Sequence, residues 1–383
     1  VTTAGAADTD DANTDDDDNA SSDGDPSGGG SSDTDSDPSG GSGNDPTTDG
    51  APSAVPQFDG TSVVVANAQD GLDIPQDLAF SPDAPDQLWV VNAAFHGVVI
   101  LFDPGGDPQT AETRIDLYAQ HFMANVSSLA FGSSGSFSSC QESRDEWNGV
   151  PQPPDDFMGP TLWSSDLDIF AVVGQEYPPN GVEGSHLDML HQSPLCMGIA
   201  HDSGNAYWAF DGLHGHIVYY DFMSDHGPGG GDHSDGAVRR YPEATVTRIP
   251  EAPGHLVLDH STGWLYVADT GSGNVMRLDT QTGSYSEALS GNVDGIPEYS
   301  AYRGVTWEAF ATGLQQPSGL ALADGILFVG DRTSGDVIAY DVQDGGELDR
   351  FATGATAVAG LEIGPQGRLW YTDARDNEVV VIR

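Results

Sequence analysis

The chemistry this chain can offer is concentrated in its histidines. Eleven are present, and several share a short span with carboxylates. The stretch SDHGPGGGDHSDG carries His226, Asp232, His233 and Asp235, while His201 sits beside Asp202 and His260 beside Asp259. Neutral imidazole with carboxylate suits zinc or another transition metal, and carboxylates with loop carbonyls suit calcium. The glycines let such a loop fold back tightly on an ion. The reading without an ion is a solvated glycine-rich loop drawn in by Arg239 and Arg240, the only adjacent basic pair. We expect a metal, calcium or zinc, with a mainly structural role, at His201, His226, Asp232, His233, Asp235 and His260. A nucleophile elbow, HExxH, CxxC or phosphate-binding glycine loop is not found in the sequence.

The elements that must position these residues form a repeat, clearest in PGHLVLDHSTGWLYVADTGSGNVMRLD at 253–279. Six second strands align on an apolar or aromatic pair followed by Asp or Asn. They are Leu88-Trp89 to Asn92, Leu162-Trp163 to Asp166, and Tyr207-Trp208 to Asp211. The others are Leu265-Tyr266 to Asp269, Leu327-Phe328 to Asp331, and Leu369-Trp370 to Asp373. First strands centre on Leu78, Leu129, Ile199, Leu256, Leu320 and Leu361, and third strands read VVILFD, DIFAVV, HIVYYD, NVMRLD, DVIAYD and EVVVIR. Short β-branched runs bounded by Gly, Asp, Asn and Pro are strand-and-turn chemistry, and a fixed aromatic per unit is what sheet-on-sheet packing requires. Fourth strands fall near 112–118, 183–190, 237–242, 304–311 and 346–352. The sixth unit lacks one, so SVVVAN at 62–67 should close the ring. The fold class expected is all-β, a single six-bladed propeller of four-stranded antiparallel blades over 59–383. The Asp closing each second strand is expected to bond the amides of its own turn.

The pattern P-x-G-L-x-h, then h-Y-V-A-D, then G-x-V-x-x-h-D resembles the NHL repeat, most faithfully at 252–281 and 316–343. The resemblance implies a propeller whose loops before first strands and between second and third strands share one face. Enzymes of this kind would place chemistry at the channel mouth there, where His96, His186, Asp188, His191, Asp211, His214 and Arg332 are assigned to loops. The family's amidating lyases would need histidines two residues before each first-strand core residue. Those positions hold Gln76, Ser127, Met197, Gly254, Ser318 and Ala359, which counts against that activity. One residue later stand Asp77 and His255, on opposite walls of the channel. They could flank a ligand as acid and base, and whether opposite walls come close enough for direct contact is left open. The catalytic candidates are Asp77, His191, His214 and His255.

Charge narrows the partners. The formal net charge is -48, all twelve basic residues are Arg, and only 15 of the 60 acids lie within 1–59. No basic stripe is there to neutralise phosphates, so nucleic acid, including the RNA that some NHL propellers bind, is not an expected partner; nor is anionic lipid. No apolar run is long enough to span a membrane. Residues 1–58, almost purely Asp, Ser, Gly, Thr, Pro and Asn, should form a disordered acidic tail or tether. The chain opens at Val1, as an exported form with its signal removed would. Cys140 and Cys196 would then be bridged. Cys140 falls in a long insertion at 131–160, and the stretch EYPPNGVEGSHLDMLHQSPLC is long as well, so specialisation should concentrate in units two and three. The expectation is an extracellular or envelope-associated monomer that binds a protein or small-molecule ligand, the alternative being a metal-dependent lyase or hydrolase at the channel mouth.

Overall fold

The protein is described from a computed structural model that defines residues 58, 60–133, 135–144, 157–176 and 182–382. Of the tail expected at 1–58, residues 1–57 lie outside these residues. Phe58, assigned to the tail, packs against Phe328 and Phe351 at 6.1 and 5.5 Å between ring centroids.

Six sheets make a six-bladed propeller. Blade one runs Pro75–Phe80, Gln87–Asn92, Gly97–Phe102 and Thr110–Arg114. Blade four is Leu256–Asp259, Trp264–Asp269, Asn274–Asp279 and Trp307–Thr312, and blade five is Pro317–Ala323, Ile326–Asp331, Asp336–Asp341 and Glu347–Ala352. Blade six takes Val358–Ile363, Leu369–Asp373 and Glu378–Ile382 from the C-terminus. Its outer strand, Ser62–Ala66, pairs antiparallel with Glu378–Ile382, the closure the missing strand demanded. Inner strands are buried and several outer ones, such as Thr110–Arg114, are largely exposed. Leu88, Trp89, Leu265, Tyr266, Leu327 and Phe328 are almost fully buried between sheets, where aromatic area contributes most to packing.

Blade two departs from the expected register. Its strands are Val126–Phe131, Ser136–Gln141, Thr161–Ser164 and His186–Met189. Leu162 and Trp163 therefore belong to the third strand, and DIFAVV forms turns. The physical reason is that SFSSCQ, the real second strand, is buried with the hydroxyls of Ser138 and Ser139 bonded inside the sheet. Ser138 Oγ donates to the Thr161 carbonyl at 2.9 Å, and the Trp163 indole N–H donates to Ser139 Oγ at 2.9 Å. Phe170 of DIFAVV is still buried, packing against Trp89 and Trp163 at 5.5 Å each, which is why the segment looked like a core strand.

Blade three holds the second surprise. Cys196–Ser203, Ala206–Asp211, His216–Asp221 and Ala237–Thr245 are extended by two strands to a six-stranded sheet. Glu298–Arg303 pairs in parallel with Ala237–Thr245, and Ser284–Ala288 pairs antiparallel outside it. This hairpin is an excursion of blade four between its third and fourth strands. Cys140 and Cys196 form a disulfide that ties blade two to blade three.

The aspartates closing the second strands do bond turn amides. Asp331 accepts from the backbone of Gln315, Gln316, Thr333 and Ser334, and Asp373 from Thr356, Arg375 and Asp376. Each carboxylate thus fastens the lead-in to the first strand onto the turn after the second. The acidic ring is scaffold.

Candidate functional site

The channel is built from the six first strands. Leu78, Leu129, Ile199, Leu256, Leu320 and Leu361 line a cavity of about 570 Å³ that opens on the face of the first-to-second turns. Asp77 and His255 form its floor. Opposite walls do meet here: His255 Nδ1 lies 3.3 Å from Asp77 Oδ2, and both residues are buried. His255 Nε2 lies 3.1 Å from the Gln76 carbonyl, and Asp77 accepts the Leu78 and Leu129 amides. The pair thus links opposite walls of the channel. Beyond it, on the other face, lies a cavity of about 340 Å³ lined by Gln76, Ser127, Glu142 and Arg332.

Glu362 projects into the larger channel cavity. Burial, with the Asp77 charge adding to it, pushes its carboxyl up to about 8. The sign follows from linkage: a carboxyl raised in the folded state gives stability that is complete at acid pH and is lost as pH rises towards 8. Glu362→Gln is therefore expected to flatten the alkaline decline in melting temperature between about pH 5 and 9. Parallel slopes for the two proteins would contradict it.

The expected metal residues separate into two places. His201 and His260 stand at the open end of the channel cavity, their rings 6.3 Å apart. His226, Asp232, His233 and Asp235 lie instead at the outer rim, beside the outermost strand of blade two. Loop class fixes which face a residue occupies but not its distance from the axis, and that is why six residues on one face do not make one cluster. Arg239 and Arg240 do not hold the loop. Arg239 forms a two-pronged pair with Glu298, and Arg240 is committed to Asp211.

Of the proposed catalytic histidines, His214 stays on its loop between second and third strands, with Nδ1 2.7 Å from Asp211 Oδ2, in the network around Arg240. His191 belongs to the rim, with His186 and Asp188, because these residues occupy or follow the outer strand His186–Met189 rather than a loop at the channel mouth.

The rim site is where the irregular pieces of the fold converge. A cavity of about 520 Å³ is bounded by His121 and Phe122 from the short helix Ala119–Phe122 and by Phe157 from the blade-two insertion. His186 and His191 flank the outer strand, Asp232 and His233 come from the glycine-rich connection, and Asp294 comes from the blade-four excursion. Asp188 is fully buried. Its Oδ1 accepts from His233 Nδ1 and from the Met189 amide, each at 2.6 Å, while Oδ2 has no hydrogen-bond partner among the described residues. Oδ2 lies 3.8 Å from His226 Nε2, which is itself 2.9 Å from Asp235 Oδ1. Ligand atoms of Asp188, His226 and Asp235 all fall within 4.8 Å of one another, the one such group among the described residues.

Electrostatics at the rim divide the histidines. Burial pushes His186 down to about 3, so its imidazole is neutral. For His226 burial acts downward too, but the hydrogen bond with Asp235 and the charges of Asp188 and Asp235 outweigh it and hold the imidazole above its ordinary value. Burial raises Asp188, against the pull of His233. His226 is thus the rim histidine whose protonated form the neighbouring carboxylates favour. The sequence reading missed His121 and Asp294 and misplaced Asp188. Asp294 lies 103 residues from its partner His191, a distance at which no local pattern can report a contact.

The fold and site define a six-bladed propeller with an elaborated outer rim on blades two and three. No protein-family profile and no curated protein matches the sequence. Among solved structures the chain is similar to an auxiliary nutrient binding protein from Bacteroides thetaiotaomicron, with TM-score 0.52, 10% identity, and 81% of this chain and 68% of that one covered. A second auxiliary nutrient binding protein, from Bacteroides ovatus, gives TM-score 0.51, 12% identity, and 84% and 76% coverage. A glucose dehydrogenase gives TM-score 0.52, 15% identity, and 84% and 99% coverage. At these identities the likeness shows the propeller and does not single out the NHL family.

Proposed function

We propose that the chain is an exported binding propeller, with a repeat of NHL type, that carries a metal ion at Asp188, His226 and Asp235 and receives its ligand at the adjoining rim cavity. The observation that carries this reading is Asp188 Oδ2, a buried carboxylate oxygen with no hydrogen-bond partner among the described residues, facing an imidazole and a second carboxylate. A buried unsatisfied acceptor is costly, and an ion relieves it. One nitrogen and two carboxylates favour zinc or a similar ion over calcium, which takes oxygen donors. The ion would fasten the glycine-rich connection at 224–236 to the edge of blade two. The disulfide fits an oxidising compartment, and nutrient binding, as two of the neighbouring structures are described, fits a binding role. The lyase or hydrolase alternative ranks second because, among the described residues, the donor group lies at the rim and Asp77 and His255 contact each other across the channel.

Chelation followed by zinc titration tests this. The apo protein is expected to melt several degrees lower and to regain the loss on binding zinc, since an ion at a hundred times its Kd adds about 2.7 kcal/mol. His226→Ala should melt like the apo protein with or without zinc. Chelated protein of unchanged melting temperature that takes up no zinc would overturn the reading.

A further inference from the structure

We propose that a second transition-metal position lies in the rim cavity, built from the imidazoles of His186, His191 and His233. The three rings share one hydrogen-bonding pattern. His186 Nδ1 lies 2.8 Å from the Glu183 carbonyl, His191 Nδ1 lies 2.5 Å from Asp294 Oδ1, and His233 Nδ1 lies 2.6 Å from Asp188 Oδ1. A carbonyl or a carboxylate can only accept, so an N–H at each Nδ1 satisfies it, and in the neutral ring Nε2 then presents the lone pair. An oxygen acceptor behind Nδ1 is the arrangement that fixes the tautomer and orientation of metal-bound histidine.

The free ends of these rings are otherwise unexplained. Nε2 of His191 is buried and has no hydrogen-bond partner among the described residues, and Nε2 of His186 is buried without a geometric hydrogen bond, although the Gly230 backbone also acts on that ring. Both rings are held in place by stacking, His186 on Phe122 at 3.8 Å and His191 on Phe157 at 3.9 Å between centroids. His233 stands between them, 6.1 Å from each. Three imidazoles on one tetrahedral ion at the usual zinc–nitrogen distance have centroids roughly 5 Å apart. The His186–His233 and His191–His233 pairs are each about 1 Å too wide on that measure, and the three nitrogens are not among the groups that already lie within 4.8 Å. His233 rides on a connection containing Gly227, Gly229, Gly230 and Gly231, the segment best able to draw in as an ion binds.

The elaborations of the repeat fit this role. The blade-four excursion delivers Asp294, whose second oxygen also accepts the His191 amide at 3.0 Å. Asp294 is a positioning residue for His191, as Asp188 is for His233. Imidazole donors select late first-row ions such as copper or zinc. Asp188 would then join the two positions, ligating one ion through Oδ2 and orienting His233 for the other through Oδ1.

The full chain, stripped of metal, is titrated with copper(II) and with zinc alone, followed by calorimetry and, for copper, by electron paramagnetic resonance. Wild type is expected to take two equivalents, one showing coupling to several nitrogens. His186→Gln with His191→Gln should lose the nitrogen-rich equivalent and keep the other, whereas Asp235→Asn should do the reverse. Asp294→Asn, a milder change, should weaken the nitrogen-rich position on the order of 10–100-fold with an unchanged circular dichroism spectrum. One equivalent in wild type that survives the double histidine change overturns this proposal and leaves the Asp188–His226–Asp235 reading standing. One equivalent lost with the histidines but kept in Asp235→Asn supports it and overturns that reading instead.

Discussion

Replacing Cys140 and Cys196 together by serine is expected to destabilise the fold by about 4 kcal/mol. The bridge joins residues 56 apart, and closing a loop of that length removes conformational freedom from the unfolded chain in roughly that amount. Native-state packing adds a reason for the bond to sit where it does. Ser127 Oγ, between the two strands, lies 3.2 Å from the Cys140 carbonyl and 2.8 Å from that of Cys196, so the hydroxyl bridges the same two blades beside the disulfide. The closed loop contains His186, Asp188 and His191, so the loss should also reach the rim. Urea unfolding of the double serine variant should show a clearly lower midpoint with metal absent from both samples, and reducing agent should move wild type towards the variant. Coincident midpoints for oxidised, reduced and substituted protein would show that the bridge does not hold these blades together.

The propeller was legible because one packing problem is solved six times. Most units must bury an aromatic against a neighbour and turn on an Asp or Asn, and those demands leave an aromatic at the same place in Trp89, Tyr266 and Phe328. Closure by Ser62–Ala66 followed from counting strands, since an unpaired edge on a sixth blade is untenable. Blade two escaped because its second strand is polar by composition and apolar only in effect. Ser138 and Ser139 each find a hydrogen-bond partner inside the sheet, and hydropathy cannot see that. The excursion at 284–303 carried a readable signal, the alternation in SYSEA and EYSAY, although nothing local says it joins blade three rather than blade four.

The candidate site was half legible for a different reason. The glycine-rich connection showed donors at His226, His233 and Asp235, and its companions were sought on neighbouring loops of the same face. His201 and His260 satisfied that test and stand at the channel instead. The partners that complete the rim, Asp188 and Asp294, come from a blade edge and from an excursion. In a repeat fold the copies carry the scaffold and the departures carry the particular chemistry. Here the short helix, the blade-two insertion, the blade-three connection and the blade-four excursion all meet at one cavity.

Arg240→Met should be the most damaging single substitution outside the aromatic core, at about 3–5 kcal/mol near neutral pH. Arg240 and Asp211 are both buried, with Nη1 2.5 Å from Asp211 Oδ2 and Nη2 2.5 Å from the Gln192 carbonyl. Burial alone would raise Asp211, but Arg240 and His214 outweigh it and keep the carboxyl below its ordinary value. In wild type this pair therefore gives stability that is present above the usual Asp range and lost as pH falls through the depressed value. Removing the guanidinium reverses the sign. With burial no longer opposed by Arg240, the Asp211 carboxyl rises, and the variant should be least stable at neutral pH and recover as acid protonates it. Asp211→Asn added to Arg240→Met should restore most of the loss, because an amide still accepts the Leu213 and His214 amides without a buried charge. Chemical unfolding of the single variants and the double variant at pH 4.5 and 7.5 checks both parts. If the double variant fell to the sum of the single losses, the cost would lie in packing around Arg240 rather than in an abandoned carboxylate.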